Sequence, residues 1–201
     1  PAFRRWFGDS KVVDAQGKPL VVYHGTNAEF TEFKAGDGML GKGIYFTPNA
    51  KSAPMYPTLQ NMRAQREGRE AGAISVMPVY VSLRNPLVLT ELPAGKVDAN
   101  RAASQGYDGI VLLNPDGTTK ELTAFRPEQI KSAIGNNGDF NPGSSDIRFS
   151  RAGTAKTTAQ RQVTQAVRNT VADMLGNAGA KVSWWDKTLG TQYAKAQKFP
   201  A

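Results

Sequence analysis

The sequence restricts the chemistry of any active site to a small set of groups. Its 201 residues include no cysteine and one histidine, His24. Thiolate nucleophiles, disulfides and metal sites built on cysteines or on several histidines are therefore excluded. Carboxylates, hydroxyls, backbone groups and one imidazole remain, and we expect no metal site.

The single imidazole lies in a motif that could hold a planar ligand. VVYHGT predicts a short apolar strand, which His24 ends, and Gly25 follows. Because glycine has no side chain, a flat group can approach its backbone, whose N–H and C=O can pair with a carboxamide. Taken alone, however, the motif favours a half-buried histidine that is hydrogen-bonded to backbone.

A second motif, GKGIYFTPNAKSAPMY, occupies residues 41–56. Strand alternation predicts that Ile44 and Phe46 enter the core while Tyr45 faces the other side. Tyr45 and Tyr56 either pack against the protein itself or enclose an aromatic ligand, for which each stacked face contributes about 0.5–1.5 kcal/mol. The motif alone leaves both interpretations open.

Short strands separated by turn residues must position these groups. Alternating apolar residues predict a strand over 74–83, in which Pro78 indicates an edge or a bulge. Strands YDGIVLLN and ELTAFRP are joined by a tight turn at residues 115–117. Asp98 is the expected N-cap of a short helix that ends before Gly106. Residues 57–72 are predicted to form a mobile loop or a loose helix.

The chain changes character near residue 150. Residues 1–150 carry 17 Lys and Arg against 15 Asp and Glu, whereas residues 151–201 carry 8 against 2. Val163, Val167, Val171 and Met174 recur at helical spacing, which predicts a helix ending near Gly176. We therefore predict a domain over 1–150, followed over 151–201 by a basic helical tail or the start of a further region of a larger protein. This tail could bind nucleic acid.

Three motifs in order, YHGT, GKGIYFT and KSAPMY, resemble the ADP-ribosyltransferase superfamily. The similarity is to its His–Tyr–Glu branch, shared by diphtheria-type toxins and poly-ADP-ribose polymerases. The stretch from GYDGIVLL to SSDIRFS is similar to ADP-ribosyltransferase-like domains of phage and prophage polyvalent proteins. The resemblance covers about residues 1–150 and implies an α+β fold, in which two small packed β-sheets and short helices surround a cleft for the co-substrate NAD.

The resemblance also implies roles for individual residues. His24 would hold the adenine-side ribose of NAD, and the Gly25 backbone would clamp the nicotinamide carboxamide. Tyr45 would stack on the nicotinamide ring, Ser52 would bond the carboxamide oxygen, and Tyr56 would close the other face of the ring. The complete implied NAD-binding set is His24, Gly25, Thr26, Tyr45, Ser52 and Tyr56.

The branch places a catalytic glutamate at the beginning of a late strand, and Glu121 in TTKELTAF stands there. With His24 and Tyr45 it would complete the catalytic set. Glu128 is the alternative, but it follows a proline in an expected turn, so Glu121 is favoured. Thr119 stands where arginine-modifying relatives carry Glu or Gln, which disfavours arginine as the acceptor.

The implied activity is mono-ADP-ribosylation, in which ADP-ribose passes from NAD to a macromolecular acceptor, expected to be a protein. Such a toxin or effector would act in the cytoplasm of a host or target cell, since no signal peptide or membrane-spanning apolar run is seen. The alternatives are an NAD glycohydrolase and an inactive module that binds NAD or nucleic acid. A tRNA 2′-phosphotransferase is disfavoured because the net charge of residues 1–150 is near neutral.

Overall fold

A computed structural model of the chain describes residues 1–28, 30, 32–136, 138 and 140–147, together with the backbone of residues 181–186 and 192–197. The described helices are α1 (Ala2–Phe7), α2 (Met55–Arg66) and α3 (Ala99–Ser104), with a 3₁₀ turn at Pro127–Gln129. The described strands are β1 (Val22–Thr26), β2 (Gly36–Gly38), β3 (Gly41–Phe46), β4 (Ser75–Val81), β5 (Pro86–Leu89), β6 (Gly109–Leu113), β7 (Thr119–Ala124), β8 (Ile130–Ser132), β9 (Lys181–Asp186) and β10 (Gln192–Gln197).

These elements form two sheets of five strands each. The first sheet has the order β1-β4-β10-β9, and β8 also pairs with β4. The second sheet has the order β2-β3-β7-β6-β5, in which β5 and β6 are parallel and the other pairs are antiparallel. The architecture is therefore α+β, as predicted, and two mostly antiparallel sheets with few helices are compatible with an ADP-ribosyltransferase-like fold.

Strand β4 is central, which corrects the prediction that Pro78 marks an edge or a bulge. β1 pairs along one side of β4, and β8 and β10 share the other side. Pro78 lies between the last β8 pair, at Val79, and the first β10 pair, at Val76. The missing N–H of Pro78 is tolerated because β8 and β10 both end short of this position, where the Pro78 carbonyl accepts from the Ala133 N–H at 3.0 Å.

The main core lies between the two sheets. Val22 and Val79 from the first sheet pack with Ile44, Phe46 and Leu122 from the second, and all five are buried. Tyr45 instead joins a second cluster, around Leu40, Ile110 and Leu112, on the opposite face of the second sheet. The predicted alternation along β3 is confirmed, and it sends the Tyr45 side chain away from the main core.

The two sheets meet where β1 crosses the end of β3. The Tyr23 N–H donates to the Thr47 carbonyl at 2.8 Å, and the Thr47 N–H donates to the Tyr23 carbonyl at 3.0 Å. Strand geometry directs the N–H and C=O of Gly25 to the same side of β1 as those of Tyr23, because polar groups of residues two apart face the same way. Gly25 therefore presents its backbone toward the junction of the two sheets.

The predicted helical tail is not confirmed. The helix expected over 163–176 lies outside the described residues, and the described parts of the tail are the strands β9 and β10. β10 pairs with β4 through Ala194–Val76 and Lys195–Ser75. Part of the tail thus extends the first sheet.

The segment 57–72, predicted to be a mobile loop or a loose helix, overlaps the 12-residue helix α2, which begins two residues earlier and is the longest helix among the described residues. Pro54 is its N-cap residue and Pro57 lies in its first turn. Proline is tolerated at both places because the first N–H groups of a helix have no partner within it.

Candidate active site

His24 joins the two sheets through its side chain. Its Nδ1 lies 2.8 Å from the backbone oxygen of Tyr45. Because a carbonyl can only accept, Nδ1 carries a proton in this bond, and in the neutral ring Nε2 is then an acceptor. Burial lowers the pKa of His24, which favours that neutral form. The neutral ring can accept a hydrogen bond from a ligand hydroxyl.

Three phenylalanines hold the imidazole in place. The ring centroids of Phe30, Phe33 and Phe46 lie 6.0, 5.0 and 5.7 Å from that of His24. The Phe33 ring meets it nearly edge-on, at 84°. Aromatic packing in this arrangement fixes the ring plane as well as its position. His24 is therefore a half-buried histidine with a backbone hydrogen bond, as the motif taken alone favoured.

Gly25 is required by a close contact with the chain itself. A Cβ atom at this position would lie 1.7 Å from the Ala53 carbonyl oxygen and 3.1 Å from Cδ of Pro57. Real Cβ atoms do not approach so closely, so no other residue fits without a backbone shift. The space that we expected a flat ligand to use is thus filled by the segment before α2, whereas the N–H and C=O of Gly25 face the sheet junction.

Tyr45 is fixed by its hydroxyl, which donates to the Gly41 carbonyl at 2.5 Å. Its ring covers Gly38, where a Cβ would lie 2.7 Å from the phenol oxygen. Burial, followed by the nearby negative charge of Glu121, raises the pKa of Tyr45 to about 12. The residue therefore stays protonated at neutral pH, and its hydroxyl is committed to holding the ring.

Glu121 lies on the same face of the second sheet as Tyr45. Tyr45 pairs with Thr123 across β3 and β7, and side chains two residues apart on a strand share a face. Glu121 is half-buried, and burial raises the pKa of its carboxyl while Lys120 lowers it. The structure thus brings the predicted acid and the predicted stacking tyrosine together.

The alternative acid lies elsewhere. Glu128 belongs to the 3₁₀ turn after β7, and its backbone oxygen accepts a hydrogen bond from the Trp6 indole at 3.2 Å. Its charge acts on Lys131, whose pKa it raises against the effect of burial. Glu128 is therefore associated with α1 and β8, and this arrangement favours Glu121 as the acid.

The remaining predicted residues surround the end of β1. Ser52 is exposed in the turn before α2, and that turn packs on Gly25 through Ala53. Tyr56 follows on α2, with 58% of its surface exposed. The Thr26 hydroxyl is engaged locally, because it accepts from the Ala28 N–H at 3.0 Å. Ser52 and Tyr56 thus lie on an element that contacts β1, whereas Thr26 closes a turn.

Sequence reasoning missed Asp37, whose charge also raises the pKa of Tyr45. Its carboxylate is 2.5 Å from Nζ of Lys96. Asp37 lies in β2, a three-residue strand with the sequence GDG. Such a strand has no apolar alternation, so the sequence contained no signal that would place it beside Tyr45.

Two observations concern metal ions and membranes. Within the described ranges, no group of three or more His, Asp or Glu side chains could hold a metal ion. None of the helices that the structure describes is long and apolar enough to cross a membrane.

Comparison with known proteins identifies the family. None of the curated proteins matches the chain. A family model described as ADP-ribosyltransferase in polyvalent proteins matches residues 14–101 and 90–140. The matched region contains His24, Tyr45 and Glu121 and spans more than half of the 201 residues. The chain therefore belongs to the family of ADP-ribosyltransferases found in polyvalent proteins.

Proposed function

We propose that this chain is a mono-ADP-ribosyltransferase of the His–Tyr–Glu type. It cleaves NAD between nicotinamide and ribose and transfers ADP-ribose to a protein in the cytoplasm of a host or target cell. The observation that carries the proposal is the connected arrangement of the three residues. His24 is hydrogen-bonded to the Tyr45 backbone at 2.8 Å, and Glu121 lies on the face that carries the Tyr45 ring.

Glu121 supplies the transition-state stabilisation in this proposal. When the bond between nicotinamide and the ribose breaks, its electron pair goes to the ring nitrogen. Nicotinamide leaves as a neutral molecule and positive charge develops on the ribose. An ionised Glu121 that accepts a hydrogen bond from the ribose 2′-hydroxyl binds this state more strongly than the ground state. Partial burial strengthens the effect because the local dielectric constant is lower than in water.

Binding and orientation come from the sheet junction. The Gly25 N–H and C=O would pair with the nicotinamide carboxamide, and the Ser52 hydroxyl would add a further bond. The rings of Tyr45 and Tyr56 would bind the nicotinamide ring. The neutral His24 ring, with Nε2 as acceptor, would take a hydrogen bond from a ribose hydroxyl. These roles need no ionisation of His24 or Tyr45, consistent with the directions of their pKa shifts.

Two other functions share this site. An NAD glycohydrolase uses the same first step, and water then attacks the ribose. An inactive module binds NAD, or binds nucleic acid through the basic tail, without bond cleavage. The half-buried carboxyl of Glu121 beside Tyr45 favours an enzyme over a binding module, because such a charge is costly to keep without a function.

The test is incubation of the protein with host lysate and NAD that is labelled separately in the nicotinamide and in the adenosine. Released nicotinamide with the adenosine label bound to protein supports the transferase. Released nicotinamide with all adenosine label in free ADP-ribose identifies a glycohydrolase. NAD binding without release identifies an inactive module and contradicts the proposal.

A further inference from the structure

Helix α2 is attached to the end of β1 at two separate places. The first is the contact of Ala53 and Pro57 with Gly25 described above. The second lies one to two turns further along the helix, where the Asn61 side chain meets Asn27 and Gly72. Asn27 directly follows β1, and Gly72 lies between α2 and β4. Two attachments fix both the position and the direction of the helix.

Asn61 uses its whole amide group at the second attachment. Its Nδ2 donates to the Gly72 carbonyl at 2.6 Å, and its Oδ1 accepts from the Gly72 N–H at 3.0 Å. Oδ1 also accepts from Nδ2 of Asn27 at 2.9 Å. A Cβ at Gly72 would lie 2.3 Å from the Asn27 carbonyl oxygen, so only glycine fits there. We call Asn27, Asn61 and Gly72 the amide latch.

The outward face of α2 gives the helix no comparable support from the described residues. Four large apolar side chains on it are between 46% and 64% exposed, namely Met55, Tyr56, Leu59 and Met62. The buried positions are Pro57 and Ala64, on the side that faces the sheet. The position of α2 therefore depends on its inward contacts, to which the amide latch contributes three side-chain hydrogen bonds.

We propose that the amide latch is a positioning device for the nicotinamide half of NAD, an inference that rests on the proposed function. Ser52 and Tyr56 are carried by α2 and the turn before it, whereas Gly25 belongs to β1. The latch sets the distance between these two groups. Tyr45 and Glu121 belong to the second sheet and do not depend on it. Breaking the amide latch therefore weakens binding of nicotinamide and leaves Glu121 in place.

The experiment compares Asn61→Ala and Gly72→Ala with the parent. Asn61→Ala removes the three hydrogen bonds, and Gly72→Ala forces the latch apart without changing α2. We expect KM for NAD in nicotinamide release to rise about 5- to 30-fold, as the loss of bonds of this kind implies, with kcat within about threefold. Calorimetric titration should show a similar loss for nicotinamide alone and an unchanged affinity for ADP-ribose. Gln65→Ala, an exposed amide on the same helix, is the matched control and should behave like the parent.

The outcomes separate the latch from the function on which it rests. A parent that neither binds nor cleaves NAD overturns the proposed function and this role together. An active parent whose Asn61→Ala variant keeps its KM overturns the latch alone. Equal losses for nicotinamide and ADP-ribose, with a lower melting temperature, show a purely structural role and also overturn it. If Asn61→Ala does not fold, Asn27→Ala removes one bond and should give the same ligand selectivity with a smaller rise in KM.

Discussion

Glu121 and Tyr45 lie on one face of the second sheet, so the charge of the first affects the ionisation of the second. Changing Glu121 to Gln keeps the size of the side chain and removes the charge that we propose stabilises the ribose cation. We expect NAD affinity to be retained and nicotinamide release to fall by about 10²- to 10³-fold, as is usual when one transition-state partner is lost. The pKa of Tyr45 should also fall, because the Glu121 charge contributes to raising it.

Glu128→Gln is the matched control for this change. Glu128 is associated with Trp6 and Lys131, so its variant should release nicotinamide at the parental rate. Single-turnover rates and an ultraviolet titration of tyrosine, measured on both variants, check the two expectations. An active Glu121→Gln protein together with an inactive Glu128→Gln protein would show that Glu128, and not Glu121, is the catalytic acid.

The Tyr45 hydroxyl has a structural role that the sequence did not reveal. It donates to the Gly41 carbonyl at 2.5 Å, so Tyr45→Phe removes a hydrogen bond and retains the ring. We expect the free energy of unfolding to fall by about 0.5–1.5 kcal/mol, with NAD affinity unchanged. Urea denaturation and NAD titration measure the two quantities. Tyr56→Phe should change neither, since Tyr56 is exposed. A loss of NAD affinity at unchanged stability would mean that the Tyr45 hydroxyl contacts the ligand.

Local pattern predicted which way residues point but not what they touch. Alternation along β3 was sufficient to separate Tyr45 from Ile44 and Phe46, because that property depends only on neighbours in the sequence. The contact between Gly25 and Ala53 joins residues 28 positions apart. It depends on how α2 docks on β1, and no local pattern encodes such a contact. A ligand-binding interpretation of Gly25 was therefore incomplete.

At the scale of elements, β8 holds the segment 140–147 against the first sheet. The Ser132 N–H donates to the Ile147 carbonyl at 3.1 Å, and Nζ of Lys131 donates to the Ser144 carbonyl. Lys131 is fully buried. Burial lowers its pKa to about 8, while Asp146 and Glu128 act in the opposite direction. The buried ammonium group of Lys131 thus lies in β8, the strand that holds residues 140–147 against the first sheet.

This lysine makes stability depend on pH in a defined window. Its folded pKa of about 8 lies below its ordinary value of 10.5. Between these values the folded protein has released a proton that the unfolded chain still binds, so the free energy of unfolding rises with pH. Below pH 8 both states are protonated and the unfavourable burial of charge is fully present. Lys131→Met should remove this rise.

Denaturant unfolding at several pH values from 7 to 10.5 measures the effect as the difference between parent and Lys131→Met. Taking the difference is necessary because buried tyrosines also titrate in alkaline solution. Tyr23, Tyr45 and Tyr80 have raised pKa values and lower the stability of both proteins at high pH. If the difference between parent and variant is constant from pH 7 to 10.5, Lys131 keeps an ordinary pKa in the folded protein.

Elements with local signals were predicted well. Asp98 caps α3 through a 3.0 Å bond from the Arg101 N–H, and Gly117 has a φ of +81° in the turn before β7. Helix α2 was left open between a loop and a helix, because its apolar residues lie on the exposed face. Apolar residues at helical spacing are a reliable sign of a packed helix only when they face the core.

At the scale of the whole molecule, the pairing of strands could not be predicted from the sequence. The sequence indicated β1, β3, β4, β6 and β7, but not β2, which is GDG, or the parallel pairing of β5 with β6. Pairing partners are selected by the complete core between the sheets. The family resemblance supplied that information by analogy, which is why two packed sheets were expected and their exact order was not.

Whether residues 1–150 fold without the tail depends on which residues form the buried clusters. The core between the sheets, the aromatic cluster of α1 and the second cluster around Leu40 all consist of residues from 1–147. β10 pairs with β4 through two residue pairs, and β9 pairs with β10. A chain shortened after Ser150 loses these pairs and exposes one end of β4, but it keeps these three buried clusters and every proposed site residue.

We therefore expect the shortened chain to remain folded and to release nicotinamide at the parental rate. Removal of the tail should lower the melting temperature only slightly, because the short pairing of β10 with β4 contributes much less to stability than the core between the two sheets. Circular dichroism melting and a nicotinamide-release assay on the parent and the shortened chain check this. The +6 charge of residues 151–201 gives a further readout, since any salt-sensitive binding to nucleic acid should be lost with the tail while NAD cleavage persists. A shortened chain that is insoluble, or folded but inactive, would show that β9 and β10 complete the first sheet and belong to the catalytic domain.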